Sequence, residues 1–273
     1  MGKASAAICG NSRGHLNEQR LMRLVFLFGH VRLEEIAAAI WPHAKYCEQL
    51  AGRLANRLVK RGWLTRRVNT LRGSSFVLAK QGACYLTAQG LPARDGHDIC
   101  GVAGATFVHR SLATRFLISR LHDGDVAGEY AIGKNWAPMR PDEFRQRFFK
   151  MPDGLVLARQ PDHDFNGRWV DWVEVESSSK SMAELKKVLG IASRSGQAIG
   201  ERGAFLSNLV IVYERGSGHE GRILKAFGEL FDGVSAHEVG TAGRAIELVS
   251  IELKWPLRWL GSESRTIAKH LSM

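Results

Sequence analysis

The sequence predicts a mixed α/β (α+β) protein in two parts, a mainly helical N-terminal part and a C-terminal part built on a central mixed sheet. Three observations favour this class. Apolar residues recur at helical spacing before residue 62, and the spacing changes to two just after it. From residue 105 onward, strand-like and helix-like runs follow one another. A chain of 273 residues is long enough for two modest domains.

Three helices and a hairpin are predicted in the first part. The run "NEQRLMRLVFLFG" ends at Gly29, "RLEEIAAAIWP" ends at Pro42, and "KYCEQLAGRLANRLVKRGWL" ends at Gly62. The strands "WLTRRVNT" and "SSFVLAK" flank "LRG", which places Gly73 in a hairpin turn. A short helix, "KQGACYLTAQG", follows. This order is that of a winged helix-turn-helix domain, predicted over residues 15–92.

The charges of this part favour double-stranded DNA as its partner. Residues 51–79 include no acidic residue, and phosphate neutralisation requires a high density of cations. We expect Gln49, Arg53 and Asn56 to reach base edges or nearby sugars. The full predicted DNA-binding set is Gln49, Arg53, Asn56, Arg57, Lys60, Arg61, Arg66, Arg67 and Arg72. A winged helix used for protein interaction is the alternative.

Net charge is unevenly distributed along the chain. The formal charge is +11, and the first 100 residues account for +9 of it, with 15 basic and 6 acidic residues. An excess confined to one part indicates a polyanion footprint, and a solvated basic surface is the alternative.

No apolar run approaches the roughly 20 residues that span a bilayer. The four cysteines lack metal-binding spacing, which predicts free, mostly buried thiols in the cytoplasm.

The second part is predicted over residues 105–258, after a small, polar linker at 93–104 and before a C-terminal tail at 259–273. A helix with "VHR" near its start opens it. A short strand region carrying Glu129 follows, and then two strands, "DGLVLAR" and "RWVDWVEVES", are joined by the polar loop "QPDHDFNG". The helix "SMAELKKVLGIASR" has Ser181 as N-cap and Glu184 as its partner. A buried strand, a crossover helix and a last strand complete the order.

Acidic residues on the two joined strands predict a metal site. Asp153 follows a proline at the start of the first strand, and Glu174 lies 21 residues later on the second. A period of two places Trp172, Glu174 and Glu176 on one face of that strand. Mg²⁺ or Mn²⁺ prefers such hard oxygen ligands and can activate water against a phosphate. The predicted metal ligands are Asp153, Glu174 and Glu176.

The order of elements and the "PDG" and "VEVE" segments resemble the core of the restriction-endonuclease-like PD-(D/E)xK superfamily. The winged helix, "VHR", "PDG", "VEVESSS" and "LKK" together resemble the replication-relaxation family of plasmids and mobile elements, over residues 15–215. This resemblance implies DNA as the partner and makes His109 and Glu129 accessory positions.

The resemblance also implies a catalytic lysine two positions after Glu174, where this chain has Glu176. Lys180, Lys186 or Lys187 could supply the missing charge, and the last two are preferred because a helix directly after the strand can point back. The predicted catalytic set is Asp153, Glu174, Glu176, Lys186 and Lys187. If no lysine reaches the acids, the domain binds DNA without cutting it.

Two other motifs compete with this interpretation. "GSGHEG" at 216–221 fits a dinucleotide-binding pattern, although a turn before a helix explains it better at this place in the chain. Three consecutive serines, 177–179, lack the G-x-S-x-G context of a serine hydrolase.

The sequence therefore predicts a cytoplasmic DNA-binding protein of a plasmid or mobile element that nicks or cleaves DNA with Mg²⁺. The alternative is a non-catalytic transcription or replication regulator with a degenerate nuclease fold used for dimerisation or partner binding. A homodimer and other mobile-element proteins are the expected protein partners.

Overall fold

The computed structural model describes residues 2–97, 99–158, 167–178, 180–201, 203–254 and 257–268, with only the backbone described for residues 2–12. The chain is a mixed α/β protein, as the sequence predicts, and it divides into two compact units, residues 1–104 and 105–273. The predicted loop between the two acid-bearing strands lies largely outside the described residues, which resume at residue 167.

The first unit consists of helices around a small antiparallel sheet with strand order β1-β3-β2. Its elements are α1 (Gly2–Phe28), β1 (Val31–Arg32), α2 (Leu33–Ile40), α3 (Cys47–Lys60), β2 (Leu64–Val68), β3 (Ser74–Leu78) and α4 (Lys80–Ala88). Every predicted helix and both hairpin strands are present. Leu54 and Leu58 of the predicted α3 stripe are buried, together with Leu21 and Phe76.

The turn of the hairpin is organised by Asn69. Its side-chain oxygen accepts hydrogen bonds from the backbone N–H groups of Leu71 and Gly73, both at 3.0 Å. Gly73 lies in this turn as predicted, but Arg72 is the residue with a left-handed backbone, at φ 58°. The buried Asn69 amide explains how an arginine is held there, because it fixes the chain on both sides.

The predicted linker at 93–104 is partly packed onto the first unit. Ile99 is fully buried, and the N–H of Gly96 donates to the carbonyl of Leu78 at 3.3 Å. Small, polar composition predicts a linker but does not reveal a single anchoring side chain such as Ile99.

The prediction of mostly buried thiols is also wrong, since Cys84 and Cys100 are exposed.

The second unit is built on a six-stranded mixed sheet whose strands lie in chain order, β4-β5-β6-β7-β8-β9. Its elements are α5 (Gly104–Ser119), β4 (Gly124–Gly128), α6 (Glu129–Gly133), α7 (Pro141–Phe148), β5 (Gly154–Ala158), β6 (Arg168–Glu176), α8 (Met182–Leu189), a 3-10 helix (Gly190–Arg194), β7 (Ala204–Glu214), α9 (His219–Leu230), α10 (Ala236–Arg244), β8 (Ile246–Lys254) and β9 (Arg258–Thr266).

Strand direction in this sheet sets where its acidic residues meet. The three central strands β6, β7 and β8 are parallel and are joined by helical crossovers, whereas β4, β5 and β9 are antiparallel to their neighbours. Because β5 is antiparallel to β6, the start of β5 lies beside the end of β6. Ser181 and Glu184 form the predicted capping box of α8, with the N–H of Glu184 donating to Ser181 Oγ at 3.2 Å.

Three features of this unit differ from the sequence prediction. The predicted tail is wrong for residues 259–266, which belong to β9 and pair with β8 as an edge strand. Its alternating polar residues resemble a tail because one face of an edge strand meets solvent. Glu129 begins α6 and does not lie in a strand, and α7 and α10 were not predicted. No helix within the described ranges combines the length and apolar character needed to cross a membrane.

A close approach between β4 and β5 provides a test of the fold. A Cβ at Gly124 would lie 1.9 Å from the backbone oxygen of Leu157, which cannot rotate away. We expect Gly124→Ala to lower the free energy of unfolding by about 1–3 kcal/mol, measured by urea denaturation. Gly261→Ala in β9 is the control, because no atom lies within 4 Å of its added Cβ. Equal stability of the two variants would contradict this strand pairing.

Candidate active site and candidate nucleic-acid interface

Asp153 and Glu174 are brought together at one edge of the large sheet. The backbone N–H of Asp153 donates to the carbonyl of Val173 at 3.0 Å, and Gly154 pairs with Val173 in the strand register. Asp153 therefore continues the ladder beside Glu174, on the same face. The Asp153 charge acts on Glu174 strongly enough to affect its pKa.

One oxygen of Asp153 is fixed by the backbone and the other meets a histidine. Its Oδ2 accepts the N–H of Val175 at 2.7 Å, and its Oδ1 lies 2.9 Å from Nε2 of His109 on α5. Burial alone would raise the pKa of Asp153. The hydrogen bond and charge of His109, with Lys150 and Val175, outweigh burial and hold that pKa below its ordinary value.

Glu174 has no exposed surface and is held in the same two-sided way. Its Oε1 accepts the indole N–H of Trp172 at 2.7 Å, and its Oε2 accepts the ammonium of Lys150. Burial and the neighbouring Asp153 charge raise the pKa of Glu174, although the two nearby lysines oppose them. A buried carboxylate requires such compensation, because desolvating an unpaired charge is very costly.

Lys180 joins the two glutamates of β6. Its ammonium lies 3.6 Å from Oε2 of Glu174 and also binds Oε1 of Glu176. Burial would lower the pKa of Lys180, but the charges of both glutamates raise it above its ordinary value. Glu176 is 1% exposed, and its Oε2 has no hydrogen-bond partner among the described residues.

His109 links the acid pair to Ser177. Its Nδ1 lies 3.0 Å from Ser177 Oγ, while its Nε2 faces Asp153. Burial lowers the pKa of His109, but the hydrogen bond to Asp153 and the charge of Asp153 raise it overall. The raised pKa favours an ion pair between the protonated ring and Asp153, and Ser177 Oγ lies on the opposite ring nitrogen.

The structure places the predicted lysines away from the acids. Lys186 pairs with Glu229 of α9 at 2.7 Å, and Lys187 is exposed on α8. The preference for these two over Lys180 is wrong, because α8 turns its basic residues toward α9 and solvent. Glu129 is engaged elsewhere as well, in a two-point hydrogen bond with Arg110 at 2.9 and 3.0 Å.

Sequence reasoning missed Lys150 entirely. It follows α7, three residues before Asp153, and reaches Glu174 just after Phe149, which ends the helix with a left-handed backbone at φ 56°. A lysine just before "MPDG" was the available signal, but its direction depends on how that helix ends. The indole of Trp172 was placed on the correct face without its hydrogen bond being foreseen.

The donor chemistry of the acid pair fits one divalent cation. Each carboxylate has one oxygen fixed by a protein N–H, from Val175 or Trp172, while its other oxygen meets a partly exposed cationic side chain. Fixed orientation of this kind is how outer partners prepare metal-binding carboxylates. No group of three or more His, Cys, Asp or Glu that could hold a metal is found in the described part of the chain. Two carboxylates suffice for Mg²⁺, which keeps several waters.

In the first unit, all nine predicted DNA-binding side chains belong to exposed residues. At 100° per residue, four of them on α3 fall within a narrow arc of the helix surface. These are Gln49, Arg53, Asn56 and Lys60. Arg66 on β2 donates to the side-chain oxygen of Asn56, which ties the hairpin to this arc.

Arg57 and Arg61 have a structural role as well. Both pair with Glu18 of α1, at 2.9 and 2.8 Å, and Glu18 is a buried residue. These two arginines compensate a buried charge and join α3 to α1. Their positive charge is thereby partly neutralised, which the absence of acidic residues between 51 and 79 did not reveal.

The His109–Asp153 pair predicts a pH-dependent stability. Because the pKa of His109 is raised, its positive charge contributes stability that is complete below pH 6.5 and is lost as the pH rises through the pKa of the folded state. Because the pKa of Asp153 is lowered, its negative charge contributes stability that is present above pH 3.8 and is lost as the pH falls through the pKa of the folded state. We therefore expect His109→Gln to lower the free energy of unfolding most between pH 3.8 and pH 6.5, and less at about pH 9. Urea denaturation at several pH values measures this effect. His122→Gln, an exposed histidine, is the control. A pH-independent loss would refute the ion pair.

Comparisons of the chain with protein-family models, with curated proteins and with solved structures give no match.

Proposed function

We propose that this protein binds double-stranded DNA through its first unit and cleaves or nicks DNA through its second, with Mg²⁺ or Mn²⁺. One observation carries the proposal. Lysine ammonium groups lie on the buried carboxylate of Glu174, directly beside Asp153. In this chain Glu176 stands where the resemblance implies a catalytic lysine. Lys150 and Lys180 supply the missing positive charge from other positions.

The proposed role of the first unit is that of a winged helix-turn-helix domain. Three helices, a hairpin and a closing helix support this assignment, with α3 as the recognition helix. The exposed arc of α3 offers two amide and two cationic side chains, a combination suited to base edges and phosphates. Arg67 and Arg72 on the hairpin add positive charge along the proposed wing.

In the second unit, Asp153 and Glu174 would hold the cation, and its binding would displace His109 and Lys150 from the carboxylate oxygens that they now contact. When bound there, the cation lowers the pKa of a water and polarises the phosphate. Lys150 and Lys180 place positive charge where the transferred phosphate gains negative charge. Before the cation binds, the hydrogen bond and charge of His109 favour the ionised form of Asp153. The fold proposed for this unit is restriction-endonuclease-like, and the order of its motifs resembles that of the replication-relaxation family.

A second candidate is a non-catalytic regulator, and a specific observation favours it. Three carboxylates, two lysines and a histidine already form a mutually compensated cluster. Such a cluster can serve structure alone. In this case the second unit mediates dimerisation or contact with proteins of the same mobile element, and the protein leaves a footprint on DNA without breaking it.

The arc on α3 predicts different roles for two arginines one helical turn apart. We expect Arg53→Met to lower affinity for duplex DNA about ten-fold and to reduce the salt dependence by about one counterion. Arg57→Met should have a smaller effect on affinity, because its guanidinium is held by Glu18. Fluorescence anisotropy at several salt concentrations measures both. Equal losses would show that the arc does not define the interface.

The cleavage proposal predicts nicking or linearisation of supercoiled DNA with Mg²⁺ or Mn²⁺ and none with chelator. Asp153→Asn should lower the rate at least about a hundred-fold while duplex binding persists. Lys150→Met should lower it similarly, whereas Lys186→Met should not, because Lys186 is paired with Glu229. Circular dichroism confirms that each variant is folded. A wild-type protein that binds DNA but never breaks it would establish the regulator instead.

A further inference from the structure

Phe149 is the most exposed large hydrophobic residue in the described part of the chain, with 90% of its surface accessible. Its backbone has φ 56°, in the left-handed region that residues other than glycine, asparagine and aspartate rarely adopt. The N–H of Phe149 donates to the carbonyl of Arg145 at 3.0 Å, which ends α7. An aromatic ring is thus kept in water at a position where glycine would cost less.

Both neighbours of Phe149 lead to the same carboxylate. The ring of Phe148 packs on Trp172 with centroids 4.9 Å apart, and the Trp172 indole donates to Glu174. On the other side, Lys150 binds Glu174 directly. Phe149 is therefore one residue from each of two side chains that lead to the acid site, while its own ring remains in solvent.

Exposed arginines precede Phe149 on α7, and another contacts its neighbour Phe148. Arg145 and Arg147 are exposed on the last turns of α7. The guanidinium of Arg194, another exposed residue, lies 4.8 Å from the centroid of Phe148. An apolar protein surface placed here would desolvate these charges at a cost. A nucleotide instead offers a flat ring and a phosphate together, the combination that single-strand-binding grooves recognise.

We propose that Phe149 stacks on an unpaired base next to the phosphate on which the carboxylate–lysine site acts. The inference rests on the proposed function and specifies its substrate. Bases inside an intact duplex are stacked on both sides and cannot cover a protein ring. The substrate class is therefore a strand with accessible bases, either single-stranded DNA or a duplex with a splayed or flipped nucleotide. Phe149 is a positioning residue and takes no part in the chemistry.

The test uses the full chain in chelator, with a single-stranded oligonucleotide that contains 2-aminopurine and with a blunt duplex. We expect Phe149→Ala to bind the single strand about ten-fold more weakly and to lose the quenching that stacking causes, with duplex affinity unchanged. Phe149→Trp should restore both signals. Leu260→Ala is the matched control, because Leu260 is 53% exposed on β9 of the same unit.

Several outcomes would overturn the proposal. One is wild-type binding and quenching in Phe149→Ala, and another is an equal loss of single-strand and duplex affinity. Loss of self-association in Phe149→Ala, seen by sedimentation, would identify a second copy of the chain as the occupant instead. Stacking is measured without cleavage, so a protein that quenches 2-aminopurine through Phe149 but never cuts DNA would contradict only the proposed function.

Discussion

The fully buried carboxylate of Glu174 is the constraint on which the site of the second unit depends. A charge without solvent must be compensated by groups held in place, and here these are Trp172, Lys150 and Lys180. The requirement extends through the fold, since Lys150 reaches Glu174 only if α7 ends where it does. Lys180 reaches it from the segment between β6 and α8.

A buried glutamate in the first unit is likewise compensated by two arginines. Arg57 and Arg61 form ion pairs with Glu18 and so link α3 to α1. Arg53 and Lys60 of the same basic surface face solvent. In the first unit, part of the basic surface thus compensates a buried acid, which leaves less of its charge to a partner. Charge counted along the sequence therefore overstates the functional surface.

The antiparallel pairing of β5 with β6 connects fold to chemistry. It places Asp153 beside Glu174 across 21 residues of sequence, and the N–H of Val175 then fixes the orientation of Asp153. His109 arrives from a different element, α5, and holds the ionised form of Asp153 through its own positive charge. Three separate segments thus converge where β5 begins and β6 ends, and each carboxylate there has one oxygen on an N–H group and the other on a cationic side chain.

Sequence periodicity predicted most helices and strands of both units, because burial of one face leaves a regular pattern of apolar residues. It also predicted that Trp172, Glu174 and Glu176 share a strand face. It could not predict β9 or the anchoring of Ile99, since an edge strand and a single buried side chain leave weak patterns. Periodicity could not predict which lysines contact the acids, for a different reason. Alternation along a strand is a local property, so the acids of the sheet could be found from the sequence alone. The contacts of Lys150 and Lys180 with these acids, and the pairing of Lys186 elsewhere, required the folded chain. Side-chain direction after a helix end or a strand end depends on turns that are set by packing elsewhere.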